Sequence, residues 1–178
     1  MMNAEQLRDL QAPLKDRYRE RPQAALVTLS ASARIGDGIT CKVETGQALV
    51  QAGLHPATGG DGLSACSGDM LLEALVACAG VTLNAVATAI GVELRDATIN
   101  AEGDLDFRGT LAIDRDAPVG FSAIRLMFDL DTTADDEQLA SLIKLTERYC
   151  VVYQTLAGNP DLQVSHAVKI ATAEPGEL

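Results

Sequence analysis

The longest apolar run of the chain predicts a helix near its middle. Apolar residues continue from Met70 to Ile90 with few interruptions, and they point in nearly all directions around a helical wheel. Ser67 is suited to cap the start of this helix, and the negative charge of Asp69 is favourable in its first turn. Gly91 is placed to end it. A helix that is apolar all round is expected to be central and buried.

Alternation of apolar and polar residues predicts strands on both sides of this helix. Before it, residues 25–35 and 39–44 flank the turn signal Gly36-Asp37-Gly38, and 48–52 adds a further strand. The glycine-rich segment 53–68 is expected to be a loop. After the helix, the strands are predicted at 105–113, 124–130 and 162–170.

Two helices are predicted between the last strands. Thr133-x-x-Asp136 resembles a capping box and opens a helix over 136–149, and a second helical stretch covers 150–156 and ends at Gly158. Residues 1–22 are expected to form a helical extension, interrupted by Pro13. Residues 23–172 are expected to form a single domain. Strands and helices are segregated along the chain, so the predicted fold class is α+β, with antiparallel sheets around the central helix.

Composition and charge exclude several classes of function. The 178 residues carry a net charge of −11, which disfavours binding to nucleic acids. The N-terminus lacks the pattern of a secretory signal, and polar residues within 70–90 favour a core helix over a membrane span. We therefore expect a cytoplasmic protein with no membrane or nucleic-acid partner.

The cysteines are the candidates for chemistry. The four are Cys41, Cys66, Cys78 and Cys150, with no CxxC motif and only two distant histidines, so no zinc site is expected. The glycines at 59–62 lack the Lys-Ser/Thr of a phosphate loop, and no cofactor is expected. The thiols are therefore left with either redox chemistry or packing as their role.

Two segments resemble the signatures of one protein family. The segment DMLLEALVACAGVTLNAVA (69–87) resembles the long helix of the OsmC/Ohr proteins, the osmotically inducible and organic hydroperoxide resistance proteins. The segment ERYCVVYQTLAGN (147–159) resembles their second signature. The two cysteines stand about seventy residues apart, as in the family. With the strand–helix order, the resemblance covers roughly residues 25–170.

The resemblance implies both an architecture and an activity. Its fold is an intertwined homodimer with two active sites at the interface. Its activity is the reduction of organic hydroperoxides, as part of the antioxidant response to oxidative stress. By motif position, Cys78 is the peroxidatic residue and Cys150 the resolving one, and the disulfide that they form is reduced by an external, lipoyl-type dithiol.

Activation of Cys78 is expected to need help from elsewhere in the chain. The reactive species is the thiolate, and a cysteine deep within a helix gains little from that helix's dipole. In the family an arginine supplies the charge, and ASARIGDGIT (31–40) places Arg34 in that role. The family's glutamate falls at Gly68 here, so Asp69 is the expected replacement and Glu73 the alternative.

Other interpretations stay open at this point. The family's glutamate is missing at Gly68, and Val151 follows Cys150 where the family usually has proline. The missing glutamate supports an alternative function, a redox-sensing or small-molecule-binding protein of this fold with little peroxidase turnover. Cys66 precedes a helix start and could be a third reactive thiol. Cys41 is expected to pack on the apolar face of its strand.

Overall fold

The computed structural model describes residues 3–6, 9, 12, 20, 32–35, 40–44, 49–112 and 114–168. For 32–35, 40–44 and residue 49 it describes the backbone alone. Most of the predicted extension 1–22 therefore lies outside the described residues. The final residues, 169–178, also lie outside them.

The first sheet has four strands in the order β1-β2-β3-β4. They span Ser32–Ile35, Thr40–Glu44, Leu49–Gly53 and Ala65–Cys66. The first three are antiparallel, and the short β4 pairs parallel to β3. Between β3 and β4, within the predicted loop, Pro56–Thr58 forms one 3₁₀ turn.

The central helix α1, Ser67–Ile90, follows β4 directly. It ends as predicted at Gly91, whose φ of 77° is costly for residues with a side chain. The predicted cap is wrong: Cys66, and not Ser67, occupies the N-cap position, without a side-chain capping bond. Ser67 has no such role because the helix already begins at that residue.

The second sheet is a long hairpin of β5, Leu94–Leu105, and β6, Phe121–Thr132. The two strands pair antiparallel, so the strand predicted at 124–130 is confirmed. Gly103 faces Phe121, and a Cβ atom at Gly103 would stand 2.4 Å from the phenyl ring. The ring therefore packs directly on the backbone of the neighbouring strand.

The strand predicted at 105–113 is wrong. The chain leaves β5 at Leu105 and makes a one-turn helix, α2, over Phe107–Thr110. The carboxylate of Asp106 accepts a hydrogen bond from the backbone N–H of Arg108, at 3.0 Å, and also binds its guanidinium. These local bonds outcompete strand pairing, although the residues alternate in polarity.

Two further helices follow the hairpin. Helix α3 spans Asp136–Tyr149 and α4 spans Val151–Ala157, close to the predicted bounds. The predicted cap at Thr133 is wrong, because the capping box is formed by Asp135 and Gln138. An aspartate one residue before the helix is better placed to accept the N–H of the third helical residue.

The strand predicted at 162–170 is not formed over its described part. Residues 161–168 have no regular structure, and Leu162, Val164 and Val168 are 84%, 98% and 77% exposed. A strand needs a neighbour for its backbone hydrogen bonds, and this segment pairs with none of the described residues. Residues 169–170 lie outside the description.

The buried core lies where α1 crosses α3 and the hairpin. Leu83 and Leu142 are its largest members, at 1% and 0% exposure. The described part of the chain covers one side of α1 and leaves Val81, on the opposite side, 74% exposed. By length and composition α1 could also cross a membrane, with a mean hydropathy of 1.8. In a single chain, the predicted burial of the central helix is therefore confirmed for one face of α1.

Candidate active site

Cys78 lies in the middle of α1 and Cys150 at the corner between α3 and α4. Cys150 is at once the residue that ends α3 and the residue that precedes α4, with an extended backbone of φ −73° and ψ 108°. Its N–H donates to the Thr146 carbonyl and its own carbonyl accepts from Gln154, both at 2.9 Å. Packing of α1 against α4 brings the two free thiols close enough for each to shift the pKa of the other.

The surroundings of Cys78 favour its thiolate. Burial acts to raise the pKa of this thiol, but hydrogen bonds from the Val152 backbone N–H, the Cys150 thiol, the Val151 N–H and the Thr82 hydroxyl lower it below its ordinary value. A sulfur that receives several donors is stabilised in its charged form. Cys78 is therefore equipped to act as a nucleophile.

The pKa of the Cys150 thiol is shifted in the opposite direction. Cys150 is 1% exposed, and burial raises the pKa of its thiol above the ordinary value. The neighbouring Cys78 acts in the same direction, because two adjacent thiolates would repel each other. In the reduced pair, ionisation is therefore favoured at Cys78 over Cys150, which is the order that sulfenic acid formation and its resolution would use.

The lowered pKa of Cys78 is achieved without a cationic side chain among the described residues. Arg125 and Arg108, for example, are bound to the carboxylates of Asp104 and Asp106, on the hairpin and at its end. The donors at the start of α4 were not anticipated from the sequence, and the expectation of an additional arginine stays a prediction. These amides belong to a different helix, so the dipole argument for α1 alone could not reveal them.

Arg34 is placed by its backbone alone. It lies in β1, paired with Lys42 of β2, and three strands separate this position from α1. Its side chain lies outside the description, as does that of Cys41. The role assigned to Arg34 therefore stays a prediction.

Asp69 is not brought near Cys78 within the chain. The two residues are nine positions apart on α1, which places them on opposite faces and about 13 Å apart along the axis. Glu73 is exposed on the same helix. The expected role of Asp69, or of Glu73, is to pair with Arg34, and it stays a prediction because the Arg34 side chain lies outside the description.

Asp69 belongs instead to a separate cavity of about 370 Å³ at the start of α1. Cys66 and His55 also line it, and the His55 ring stacks on Phe107 with the centroids 5.0 Å apart. Cys66 lies about 18 Å along the helix from Cys78. No three His, Cys, Asp or Glu side chains come close enough to share a metal ion in the described part of the chain.

A larger cavity of about 450 Å³ opens near the cysteine pair. It begins one helical turn from each cysteine, at Leu75 and Tyr153, and continues along β6, where Phe128 lines it. Most of its lining residues are apolar, and Glu147 is the only acidic one among the described residues. Polar atoms still contribute at least as much of its exposed surface as apolar atoms do, so it suits an organic molecule that carries a polar group.

A family model now decides the classification. The model described as OsmC-like protein matches residues 59–165, which include both cysteines and the helices that hold them. The chain belongs to the OsmC family. No curated protein sequence matches it.

Solved structures of the OsmC family share the fold of this OsmC-family chain. The OsmC-like protein of Mycoplasma pneumoniae is 17% identical, with a TM-score of 0.63 over 75% of this chain and 89% of that one. The organic hydroperoxide resistance protein OsmC of Legionella pneumophila is 19% identical, with a TM-score of 0.59 over 76% and 93%. The organic hydroperoxide resistance protein OhrB of Bacillus subtilis is 22% identical, with a TM-score of 0.51 over 76% and 94%.

Proposed function

We propose that this OsmC-family protein is a thiol-dependent peroxidase that reduces organic hydroperoxides to alcohols. The observation that supports it best is the closeness of Cys78 and Cys150, whose thiol pKa values are shifted in opposite directions. The nearby cavity, lined mostly by apolar residues, offers room for the organic part of the substrate. Three of the structures with this fold are of organic hydroperoxide resistance proteins.

The proposed cycle balances without a metal or cofactor. The Cys78 thiolate attacks the peroxide O–O bond, becomes sulfenic acid and releases an alkoxide that takes a proton to give the alcohol. The Cys150 thiol then condenses with the sulfenic acid, forming a disulfide and water. An external dithiol of the lipoyl type reduces this disulfide and becomes a disulfide itself. Reduced thiols of this kind fit a cytoplasmic location.

The test is to oxidise the reduced protein with one equivalent of cumene hydroperoxide and to map its disulfides by mass spectrometry. We expect a Cys78–Cys150 link, one equivalent of alcohol, and renewed consumption when dihydrolipoamide is added. A link between Cys66 and Cys78 would refute the assignment of Cys150. Rapid turnover with hydrogen peroxide but not with cumene hydroperoxide would refute the substrate class.

We also propose that the active form is a homodimer. One face of α1 exposes Val81, and the segment 161–168 exposes Leu162 and Val164, apolar side chains that a second copy of the chain would cover. A second copy would cover such surface and could supply Arg34 to a site that lacks a described cation. Light scattering of the purified protein should give twice the chain mass of 18.7 kDa. A monomer at micromolar concentration would contradict this.

One observation favours a second candidate, a redox-sensing or small-molecule-binding protein with little turnover. Among the described residues no cationic side chain stands by Cys78 to neutralise the departing alkoxide. A sensor would form the same disulfide but would be re-reduced slowly. Consumption that stops after one equivalent, even with excess dithiol, would select this candidate.

A further inference from the structure

Glu147 is an acidic residue at a position that its own helix disfavours. It lies in the last turn of α3, which ends at Tyr149. The carbonyl end of a helix carries partial negative charge, so a carboxylate is unfavourable there, whereas Asp136 and Glu137 in the first turn are favourable. Glu147 takes part in none of the ion pairs between described residues. Within that part of the chain, its charge is therefore not compensated by an ion pair.

Glu147 lines the larger cavity, close to the cysteine pair. The residue is half-buried, and the cavity that it lines continues to Leu75 of α1 and along β6. Cys150 follows three residues later at the end of the same helix, a spacing at which two residues are neighbours on one face. A molecule in this cavity therefore meets a carboxylate within about one helical turn, or ~5 Å, of the resolving cysteine.

The other polar residues of the cavity offer no charge that would attract an anion. The described residues that line it include no Lys, Arg or His. The Ser122 hydroxyl donates its hydrogen to the Asp104 carbonyl, at 3.1 Å, and Tyr153 adds one neutral hydroxyl. Glu147 is therefore the only charged side chain on the described wall of this cavity, and it is negative.

We propose that Glu147 selects the substrate by charge, so that the cavity accepts organic hydroperoxides with a neutral organic part and excludes those that carry a carboxylate. The inference rests on the proposed peroxidase function and names its substrate class. Two negative charges enclosed in a cavity of about 450 Å³ repel each other, and a half-buried charge is screened less than one on the open surface. Hydroperoxides of hydrocarbons and of esters fall in the accepted class, and those of free carboxylic acids fall in the excluded class.

The test compares two substrates of similar shape and different charge. One is cumene hydroperoxide with a carboxylate in the para position of its ring, and the other is the methyl ester of the same compound. Consumption of each by the full-length protein is measured at pH 7 with excess dihydrolipoamide. We expect the wild-type kcat/KM to be about ten-fold higher for the ester, and added salt to reduce this preference.

Three variants show whether the preference comes from Glu147. Glu147→Gln removes the charge at nearly constant shape, and we expect it to raise kcat/KM for the carboxylate substrate about ten-fold while that for the ester stays unchanged. Glu147→Asp retains the charge and should keep the wild-type preference. Glu137→Gln removes the same net charge from an exposed residue about 15 Å away along the axis of α3, and it should leave both values unchanged.

The outcomes separate this inference from the proposed function. If both substrates are consumed and Glu147→Gln leaves the ratio of their kcat/KM values unchanged, the role of Glu147 is wrong and the peroxidase proposal stands. The same holds if Glu137→Gln changes that ratio as much as Glu147→Gln does. If the wild type consumes neither substrate, nor cumene hydroperoxide itself, the peroxidase proposal is refuted, and with it any selection of a substrate.

Discussion

Replacing Cys78 with serine is expected to lower the consumption of cumene hydroperoxide by on the order of 10³-fold or more. The serine hydroxyl is scarcely ionised near neutral pH and cannot form a sulfenic acid. The donors from Val151, Val152 and Thr82 would still be present, but they would surround an atom that does not attack peroxide. Consumption is measured with excess dithiol, so that regeneration of the thiol pair does not limit the rate.

Cys66→Ser is the matched control for this experiment. It removes a thiol of intermediate burial that lines the separate cavity at the start of α1. We expect wild-type consumption from this variant. Unchanged consumption in Cys78→Ser would refute the assignment of Cys78. A large loss in Cys66→Ser would show that Cys66, in the other cavity, takes part in the reaction.

Replacing Cys150 with serine is expected to keep the first turnover and to abolish those that follow. Cys78 should still consume about one equivalent of hydroperoxide per site, but its sulfenic acid would have no neighbouring thiol with which to condense. Excess peroxide should then drive it to sulfinic acid, which is not readily reduced. Trapping with dimedone and the mass of the Cys78 peptide would record both stages.

The first turnover should also be slower at low pH in Cys150→Ala, because alanine, unlike the serine of Cys150→Ser, has no hydrogen to donate to Cys78. The Cys150 thiol is one of the donors that lower the pKa of Cys78, and its loss raises that pKa again. The reactive thiolate exists above its pKa, so the rate is lost first on the acid side. Sustained turnover by Cys150→Ser without sulfinic acid would show that another thiol resolves the reaction.

The helices were the most predictable part of the fold. Residues 70–90 are long and apolar, and Gly91 marks the end of the helix, so its type and length could be inferred from local pattern alone. The run over 136–149 was equally clear, although Asp135 rather than Thr133 caps it. The local signals agree with the final structure here because each helix makes its backbone hydrogen bonds within itself.

The strands were less predictable because their bonds depend on distant partners. The segment 105–113 alternates as a strand does, but Asp106 offers its carboxylate to the Arg108 backbone and a helical turn forms instead. The paired strand is 94–105, whose residues include Gly103 and several charges that weaken the local pattern. A segment of nine residues such as 105–113 carries no signal that says with which other strand it could form backbone hydrogen bonds.

The two cysteines of the site could be predicted from the sequence, but the groups that surround them could not. The resemblance named Cys78 and Cys150, and the fold brings them together. Thr82 could have been found from its spacing of four residues from Cys78. The amides of Val151 and Val152 could not, because every residue has a backbone N–H, and only tertiary packing decides where it points.

The corner at Cys150 has a consequence for the timing of the reaction. Cys78 is fixed in the middle of a helix of 24 residues, whereas Cys150 stands where two shorter helices meet. A sulfur–sulfur bond of about 2.05 Å is therefore easier to form by a movement of that corner than by a shift of Cys78. On the proposed mechanism, this corner sets how long a Cys78 sulfenic acid waits for Cys150, and with it the interval in which a second peroxide molecule can reach it.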